Sequence, residues 1–152
     1  MANEIRGIMI PVSKEKKVLL PNAIIAEVVS YDDIKKVDNA PDWLLGNINW
    51  RGYDIPLICY ETLSTGKNLD GKITGRVAVI KALGDIEKMP YFAMLVEGVP
   101  RLQLVTQGDL QVHEMEDEEN NAIASRVTIA EDMSEIPNIR YIEHILNVSL
   151  HS

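Results

Sequence analysis

The hydrophobic residues of this chain come in short runs separated by turn-forming residues. Eight runs have the length and the β-branched content of strands, and polar or glycine-containing segments lie between them. The runs are Ile8–Ile10, Val18–Leu20, Ala23–Val29, Ile55–Ile58, Val77–Ile80, Phe92–Val96, Leu102–Val105 and Ser125–Ala130. Short strands at this spacing favour a barrel or a sandwich. The pattern therefore predicts a mainly β protein.

Helical periodicity is confined to the end of the chain. The apolar positions of residues 138–148 recur at helical spacing after Pro137, which predicts a short amphipathic helix. Two shorter stretches, Asp32–Val37 and Pro41–Leu45, are each expected to form one helical turn, since proline is well tolerated at a first helical position. Strands and loops are expected for the remainder.

Composition and charge exclude several classes of protein. The chain has 152 residues, 46% of them hydrophobic and 25% charged, which is typical of a single globular domain. Its net charge of −8 argues against nucleic-acid binding, including the oligonucleotide binding that some small β-barrels perform. No apolar run approaches the roughly 20 residues of a membrane span, and the N-terminus lacks the apolar stretch of a signal peptide. We therefore expect a cytoplasmic protein without direct membrane insertion.

The residues that usually carry catalysis or bind metals are scarce. Cys59 is the single cysteine, so an internal disulfide and a thiolate zinc site are excluded. The three histidines, His113, His144 and His151, have no second histidine or cysteine at ligand spacing. No G-x-S-x-G elbow is present. The sequence therefore predicts no metal, no cofactor and no catalytic residue, so the protein is not expected to be an enzyme.

One segment partly matches a nucleotide-binding motif. Residues 66–72 contain the G-x-x-x-x-G-K part of a phosphate loop, but Ile73 stands where a hydroxyl must reach magnesium. The residues that follow are typical of a turn and a strand, whereas a phosphate loop opens a helix. A small nucleotide-binding or other ligand-binding β-barrel domain that uses this loop is the alternative to the interpretation below.

The segment from residue 31 to 60 differs from the rest in composition. It holds five of the eight aromatic residues, and the first sixty residues carry a net charge of −1 against −7 for the others. Arg51, beside Trp50 and Tyr53, is the kind of residue favoured at protein–protein hot spots. In another interpretation Trp43 and Trp50 are half-buried core aromatics and Arg51 covers one of them.

The order of residues around Arg51 also predicts local structure. A strand is expected to end at Arg51, a tight reversal to follow at Gly52–Asp54, and a second strand to come next. Gly52 allows the positive φ that such a reversal can need. Pro56 cannot donate to a β-ladder, so its strand is expected to start there or to lie at a sheet edge.

These residues resemble the signature of CheW-like coupling proteins of bacterial chemosensory systems. The resemblance covers roughly residues 15–105. It is carried by Ala40-Pro41, Gly46, Asn49-Trp50-Arg51-Gly52 and Ile55-Pro56-Leu57, and it extends through Leu19-Leu20-Pro21, Ala26-Glu27-Val28-Val29 and Met94-Leu95-Val96-Glu97-Gly98-Val99. The tryptophan before Arg51 and the divergent tail are more similar to ChpC-like accessory adaptors of pilus-type systems.

The resemblance implies a CheW-like fold of two small SH3-like five-stranded β-barrels packed together, with a short C-terminal helix. Residues 1–152 would form one domain, with one barrel mainly from the first half and the other mainly from residues after about 75. It also implies a non-catalytic adaptor, recruited to membrane-associated receptor arrays. The adaptor would link chemoreceptor (methyl-accepting chemotaxis protein) cytoplasmic tips to the regulatory domain of a CheA-type histidine kinase, in a twitching-motility (type IV pilus) pathway.

The family motif further implies a partner-binding surface. Arg51 would donate to the receptor backbone or to carboxylates, glycines would allow close backbone approach, and Ile25 would contact a receptor helix. The sequence departs from the family pattern at Ile136–Glu143, and the loop at 114–121 is unusually acidic. The residues expected at the receptor or kinase interface are Ile25, Glu27, Gly46, Trp50, Arg51, Gly52 and Pro56.

Overall fold

Strands dominate the structure, a computed structural model that describes residues 4–31, 33–67, 75–84, 89–106, 108–115 and 121–151. The strands in these residues are β1 Glu4–Pro11, β2 Lys17–Pro21, β3 Ile25–Ser30, β4 Leu44–Trp50, β5 Tyr53–Ile58, β6 Arg76–Lys81, β7 Tyr91–Val96, β8 Arg101–Thr106, β9 Leu110–His113, β10 Ile123–Ile129 and β11 Asp132–Pro137. The helices are α1 Tyr60–Thr65 and α2 Ile139–His151. Each of the eight predicted runs contributes to a strand, so the mainly β prediction is confirmed.

The strands form two sheets that draw on different parts of the chain. The five-stranded sheet has the order β3-β6-β7-β5-β4 and uses the middle of the sequence. The six-stranded sheet has the order β8-β1-β2-β11-β10-β9 and joins the first two strands to the last four. Within it β2 and β11 pair in parallel through Val18 and Glu135. The two-sheet architecture agrees with the expected fold, with one strand more than expected in the larger sheet.

Three hydrophobic clusters organise these sheets. One fills the five-stranded sheet and includes Ile48 and Leu57, and a second fills the six-stranded sheet and includes Met9 and Val127. The third and largest lies between the sheets, where their outer faces meet α1 and α2. Side chains on a strand alternate between its two faces. A central strand such as β6 therefore contributes to the cluster of its own sheet from one face and to the cluster between the sheets from the other. This arrangement accounts for the continuous apolar runs in the sequence.

The segment after β3 closes the five-stranded sheet. Lys35 N donates to Asn47 O at 2.9 Å, and Asn47 N donates to Lys35 O at 2.8 Å, which forms a bridge on the open side of β4. Since β3 and β4 are the two edges of this sheet, the crossing segment curls them together. The predicted helical turn over Asp32–Val37 is wrong for residues 33–37, which are not helical because Lys35 at their centre bonds to β4; Asp32 lies outside the described residues.

Two other local predictions need correction. Leu44 N donates to Pro41 O at 3.0 Å, so this stretch makes one tight turn and β4 begins at Leu44. Pro56 neither starts a strand nor lies at an edge, since β5 begins at Tyr53 and lies between β7 and β4. Pairing between β5 and β7 involves Leu57 and the residue after it. An interior strand accommodates the proline because Pro56 precedes that ladder.

The C-terminal helix is confirmed and runs three residues beyond the predicted end, over Ile139–His151. Asn138 caps it, because its side-chain oxygen accepts from Tyr141 N at 3.1 Å. Ile142 and Leu146 are fully buried in the cluster between the sheets. Among the helices of the described residues, none has both the length and the apolar character needed to cross a membrane.

Candidate functional site

A two-residue turn joins β4 to β5 and carries the arginine that the sequence singled out. Trp50 and Tyr53 are register partners, and Arg51 and Gly52 between them have φ values of 49° and 84°. Positive φ at both central positions is what a type I′ hairpin turn requires, and its twist matches that of the strands. The strand therefore ends at Trp50, one residue before the predicted end, and the reversal is at Arg51-Gly52.

Two contacts orient the Arg51 side chain. Arg51 Nη2 donates to Glu27 Oε2 at 2.6 Å, and the guanidinium carbon lies 5.0 Å from the centre of the Trp50 ring. The Arg51 side chain nevertheless remains 68% exposed. Because exposed ion pairs contribute only about 0–1 kcal/mol to stability, the contacts position the guanidinium more than they stabilise the fold. Most of its surface stays open to a partner.

An aromatic cluster of Trp50, Tyr53 and Tyr91 packs beside the turn. The Trp50 and Tyr91 ring centres are 4.8 Å apart in an edge-to-face arrangement, and Tyr53 lies 5.3 Å from Tyr91. Trp50 is 8% exposed and Tyr53 is 46% exposed. The second interpretation of the sequence is thus correct in that Trp50 is a core residue that Arg51 covers, although Trp50 is buried and not half-buried. Trp43 is half-buried against the cluster between the sheets, as that interpretation expected. Tyr91 was not predicted, because β7 reaches β5 only through tertiary pairing.

The two predicted site glycines differ in their surroundings. A Cβ on Gly46 would lie 2.4 Å from Lys35 O, and Gly46 has φ of +144°. The close approach at Gly46 is therefore made by this chain's own crossing segment. A Cβ on Gly52 would meet no heavy atom within 4 Å. Only Gly52 leaves open space beside the exposed arginine.

The structure brings some of the predicted residues together and places others apart. The turn cluster, as we call it, contains Glu27, Trp50, Arg51 and Gly52. Ile25 is half-buried against the cluster between the sheets and pairs in register with Ile80. Pro56 is buried and pairs in register with Asn47. Ile25, Gly46 and Pro56 thus lie on β3, β4 and β5 apart from the turn cluster, and their part in binding stays a prediction.

A second polar group, which the sequence did not reveal, lies buried between the two sheets. Tyr60 Oη donates to Glu135 Oε1 at 2.9 Å, Arg126 Nε donates to Glu135 Oε2 at 3.2 Å, and Lys16 Nζ lies 3.4 Å from Glu135 Oε1. Burial, and then the charge of Glu135, raise the pKa of Tyr60 far above its usual value. The group ties α1 to β10, β11 and the β1–β2 loop, so its role is structural.

The described residues assemble no group typical of metal or nucleotide chemistry. No cluster of three or more histidine, cysteine, aspartate or glutamate side chains in them could hold a metal ion. Gly66, with φ of 77°, ends α1, so the glycine-containing segment follows a helix, whereas a phosphate loop follows a strand. Residues 68–74 of that segment and residues 116–120 of the acidic loop lie outside the described residues.

Fold and site together define a two-barrel β protein whose most prominent surface feature is an exposed, oriented arginine. The chain belongs to the CheW family, since the family model, described as a CheW-like domain, matches residues 6–147. This agrees with the resemblance noted in the sequence and extends it over nearly the whole chain.

A solved structure shows the same fold. The crystal structure of the scaffolding protein TtCheW from Thermoanaerobacter tengcongensis superposes with a TM-score of 0.70 and 19% sequence identity. The similarity covers 90% of this chain and 86% of that chain. A search of curated proteins found no match.

Proposed function

We propose that this protein is a non-catalytic cytoplasmic adaptor that couples chemoreceptor cytoplasmic tips to a CheA-type histidine kinase. Membership of the CheW family and the likeness to a scaffolding protein support a scaffold role. The observation that carries the receptor-binding part is Arg51, which is 68% exposed yet held by Glu27 and Trp50. A preoriented arginine loses less freedom on binding than a mobile one, so more of each hydrogen bond appears as affinity.

The main receptor contact would be with the turn cluster. Arg51 would donate to a carboxylate or to backbone carbonyls of a receptor helix, where its planar fork can make two bonds. Gly52 would admit the helix backbone, since the space beside it is empty. The half-buried Ile25 would add apolar contact, and Gly46 and the buried Pro56 would act indirectly by holding β4 and β5 in place. The kinase regulatory domain would bind barrel to barrel, and the pathway would be of the type IV pilus kind.

Arg51→Glu tests this proposal directly. Receptor tips and kinase are scored separately in a pull-down, with circular dichroism to check the fold. We expect receptor affinity to fall by about 30-fold or more, as for an interfacial arginine that contributes about 2 kcal/mol. Lys17→Glu is the matched control, because Lys17 also pairs with a carboxylate (Asp132, 3.5 Å) but lies on the other sheet.

A charge swap separates contact from positioning. The double variant Arg51→Glu with Glu27→Arg restores an ion pair at the turn without restoring the arginine at the tip. If Arg51 itself touches the receptor, binding stays lost in the double variant. Recovery of wild-type affinity in the double variant would show that the ion pair positions the turn and that Arg51 does not itself contact the receptor. Undiminished binding by Arg51→Glu alone would show that the turn cluster is not the receptor site.

A further inference from the structure

Strand β8 carries an apolar surface that the turn cluster does not use. Leu102 and Leu104 are 59% and 47% exposed, and Val99, just before the strand, is 74% exposed. On the opposite face of the same strand, Val105 is buried in the cluster inside the six-stranded sheet. Three large exposed apolar side chains within six residues exceed the scattered single exposures of an ordinary surface.

The strand register shows how this apolar surface arises. Leu102 is opposite Ile8 of β1, and Leu104 is opposite Arg6. Ile8 is half-buried at the margin of the cluster between the sheets. The apolar layer between the sheets therefore continues across Ile8 to Leu102 and Leu104, where the five-stranded sheet no longer covers it.

In the part of the chain that the structure describes, the backbone of β8 is paired along one side only. Among the described residues β8 pairs only with β1, through six consecutive partners from Glu4–Thr106 to Met9–Arg101 without a register shift. Natural edge strands are usually protected by proline, lysine, a bulge or a covering element. Residues Arg101–Thr106 contain none of the first three. Arg101, the one charged side chain of β8, lies at the start of the strand and pairs with Asp132. The apolar edge that follows it is the kind of surface to which an extended segment adds as a new strand.

Charge indicates what kind of segment fits. Arg6 is exposed beside Leu104 and forms no ion pair with any described residue. An added strand would lie about 9–10 Å from β1, since adjacent strands are about 4.8 Å apart, so the long Arg6 side chain would reach a carboxylate on that strand across Leu104. We infer that β8 binds an extended segment of a partner protein that carries apolar residues at alternate positions and at least one acidic residue.

A second copy of this chain fits the edge less well. Side chains opposite each other in an antiparallel pair share a face, so a symmetric pairing of two β8 strands has to centre on a residue such as Gln103. Leu102 would then face the copy's Leu104, but no carboxylate of β8 would lie near Arg6. The heterologous segment satisfies both the leucines and the arginine.

Selection of random linear peptides from a phage-displayed library on the immobilised full chain tests the inference. We expect enriched peptides with alternating apolar residues and an aspartate or glutamate. A synthetic copy of the best peptide should bind Leu104→Lys at least about tenfold more weakly than wild type, and Arg6→Glu should also weaken it. Met133→Lys is the control, since Met133 is 67% exposed on β11 of the same sheet.

Leu102→Lys provides a second variant should Leu104→Lys fail to fold by circular dichroism. The inference is overturned if no peptide is enriched, if the folded leucine variants bind as wild type does, or if the wild-type chain dimerises and these variants make it monomeric. Both leucine variants are expected to retain receptor co-precipitation. Failure here is therefore distinguishable from failure of the receptor site at Arg51.

Discussion

Replacing Gly46 by alanine tests how the five-stranded barrel is closed. The added Cβ would lie 2.4 Å from Lys35 O and 2.5 Å from Ile34 Cγ2, at a φ of +144°. A backbone conformation with φ this large, which essentially only glycine adopts, costs another residue about 1–3 kcal/mol. Moving Lys35 away would also break two backbone hydrogen bonds with Asn47, each contributing about 0.5–1.5 kcal/mol. We expect the free energy of unfolding to fall by about 2–6 kcal/mol.

Gly52→Ala is the matched control. Gly52 also has positive φ, 84°, but its added Cβ would meet nothing within 4 Å. Its cost should be limited to the backbone conformation, about 1–2 kcal/mol. Urea unfolding, followed by circular dichroism with the slope held common, measures both variants on one scale.

The difference between the two variants measures the close approach of the crossing segment. If Gly46→Ala is no less stable than Gly52→Ala, the crossing segment does not pack on β4 as the structure has it. The comparison also distinguishes two causes of lost receptor binding. Lost binding in Gly46→Ala would reflect a displaced β4. Lost binding in Gly52→Ala, measured where the variant is still folded by circular dichroism, would instead reflect a blocked approach to Arg51.

Two further predictions concern buried polar contacts. Because the pKa of Tyr60 is raised in the folded state, the contribution of Tyr60 to stability is complete below about pH 10 and is lost as pH rises further. Tyr60→Phe should therefore reduce the alkaline loss of stability by up to about 1.4 kcal/mol per pH unit. Urea unfolding at a series of pH values measures this, with Tyr53→Phe as the surface control, and an unchanged dependence of stability on pH would contradict it. The Glu143 carboxylate accepts hydrogen bonds from the N–H groups of Leu83 and Gly84 at 2.9 Å each. Because a hydrogen bond to a charged group contributes about 1.5–3 kcal/mol, Glu143→Ala should speed the hydrogen exchange of these two amides at least about tenfold. Unchanged exchange would show that the carboxylate does not hold this loop.

Strand β11, which the sequence did not predict, has a physical reason for its weak signal. Strand β11 buries Ser134 and Glu135, whose polar side chains give no hydrophobic signal. The turn before it places Ala130 and Glu131 at φ values of 47° and 70°. Alanine and glutamate do not favour that conformation. The type I′-like turn lacks the glycine or asparagine by which such a hairpin is usually recognised in a sequence. Tertiary packing overrides the local preference there.

In the turn cluster, too, some features could be identified from the sequence and others depend on tertiary structure. Arg51, Trp50 and Gly52 are consecutive, so composition and motif could identify them together. Glu27 came from the family resemblance, and its contact with Arg51 depends on β3 and the β4–β5 turn meeting across the closed barrel. No sequence signal near Tyr91 indicates an aromatic partner for Trp50, since β7 lies next to β5 through a parallel pairing that has no local signature, and β5 separates it from β4.

The sequence by itself determined the class of structure and the most distinctive surface residue. Alternating and continuous apolar runs select strands because the side-chain period is local, and the net charge and the missing ligand patterns exclude functions without reference to geometry. Tertiary structure decided which strands pair, why Gly46 must be glycine, and that β8 leaves an edge open. Those properties arise where segments distant in sequence come within a few ångströms of each other, and a local pattern does not encode that distance.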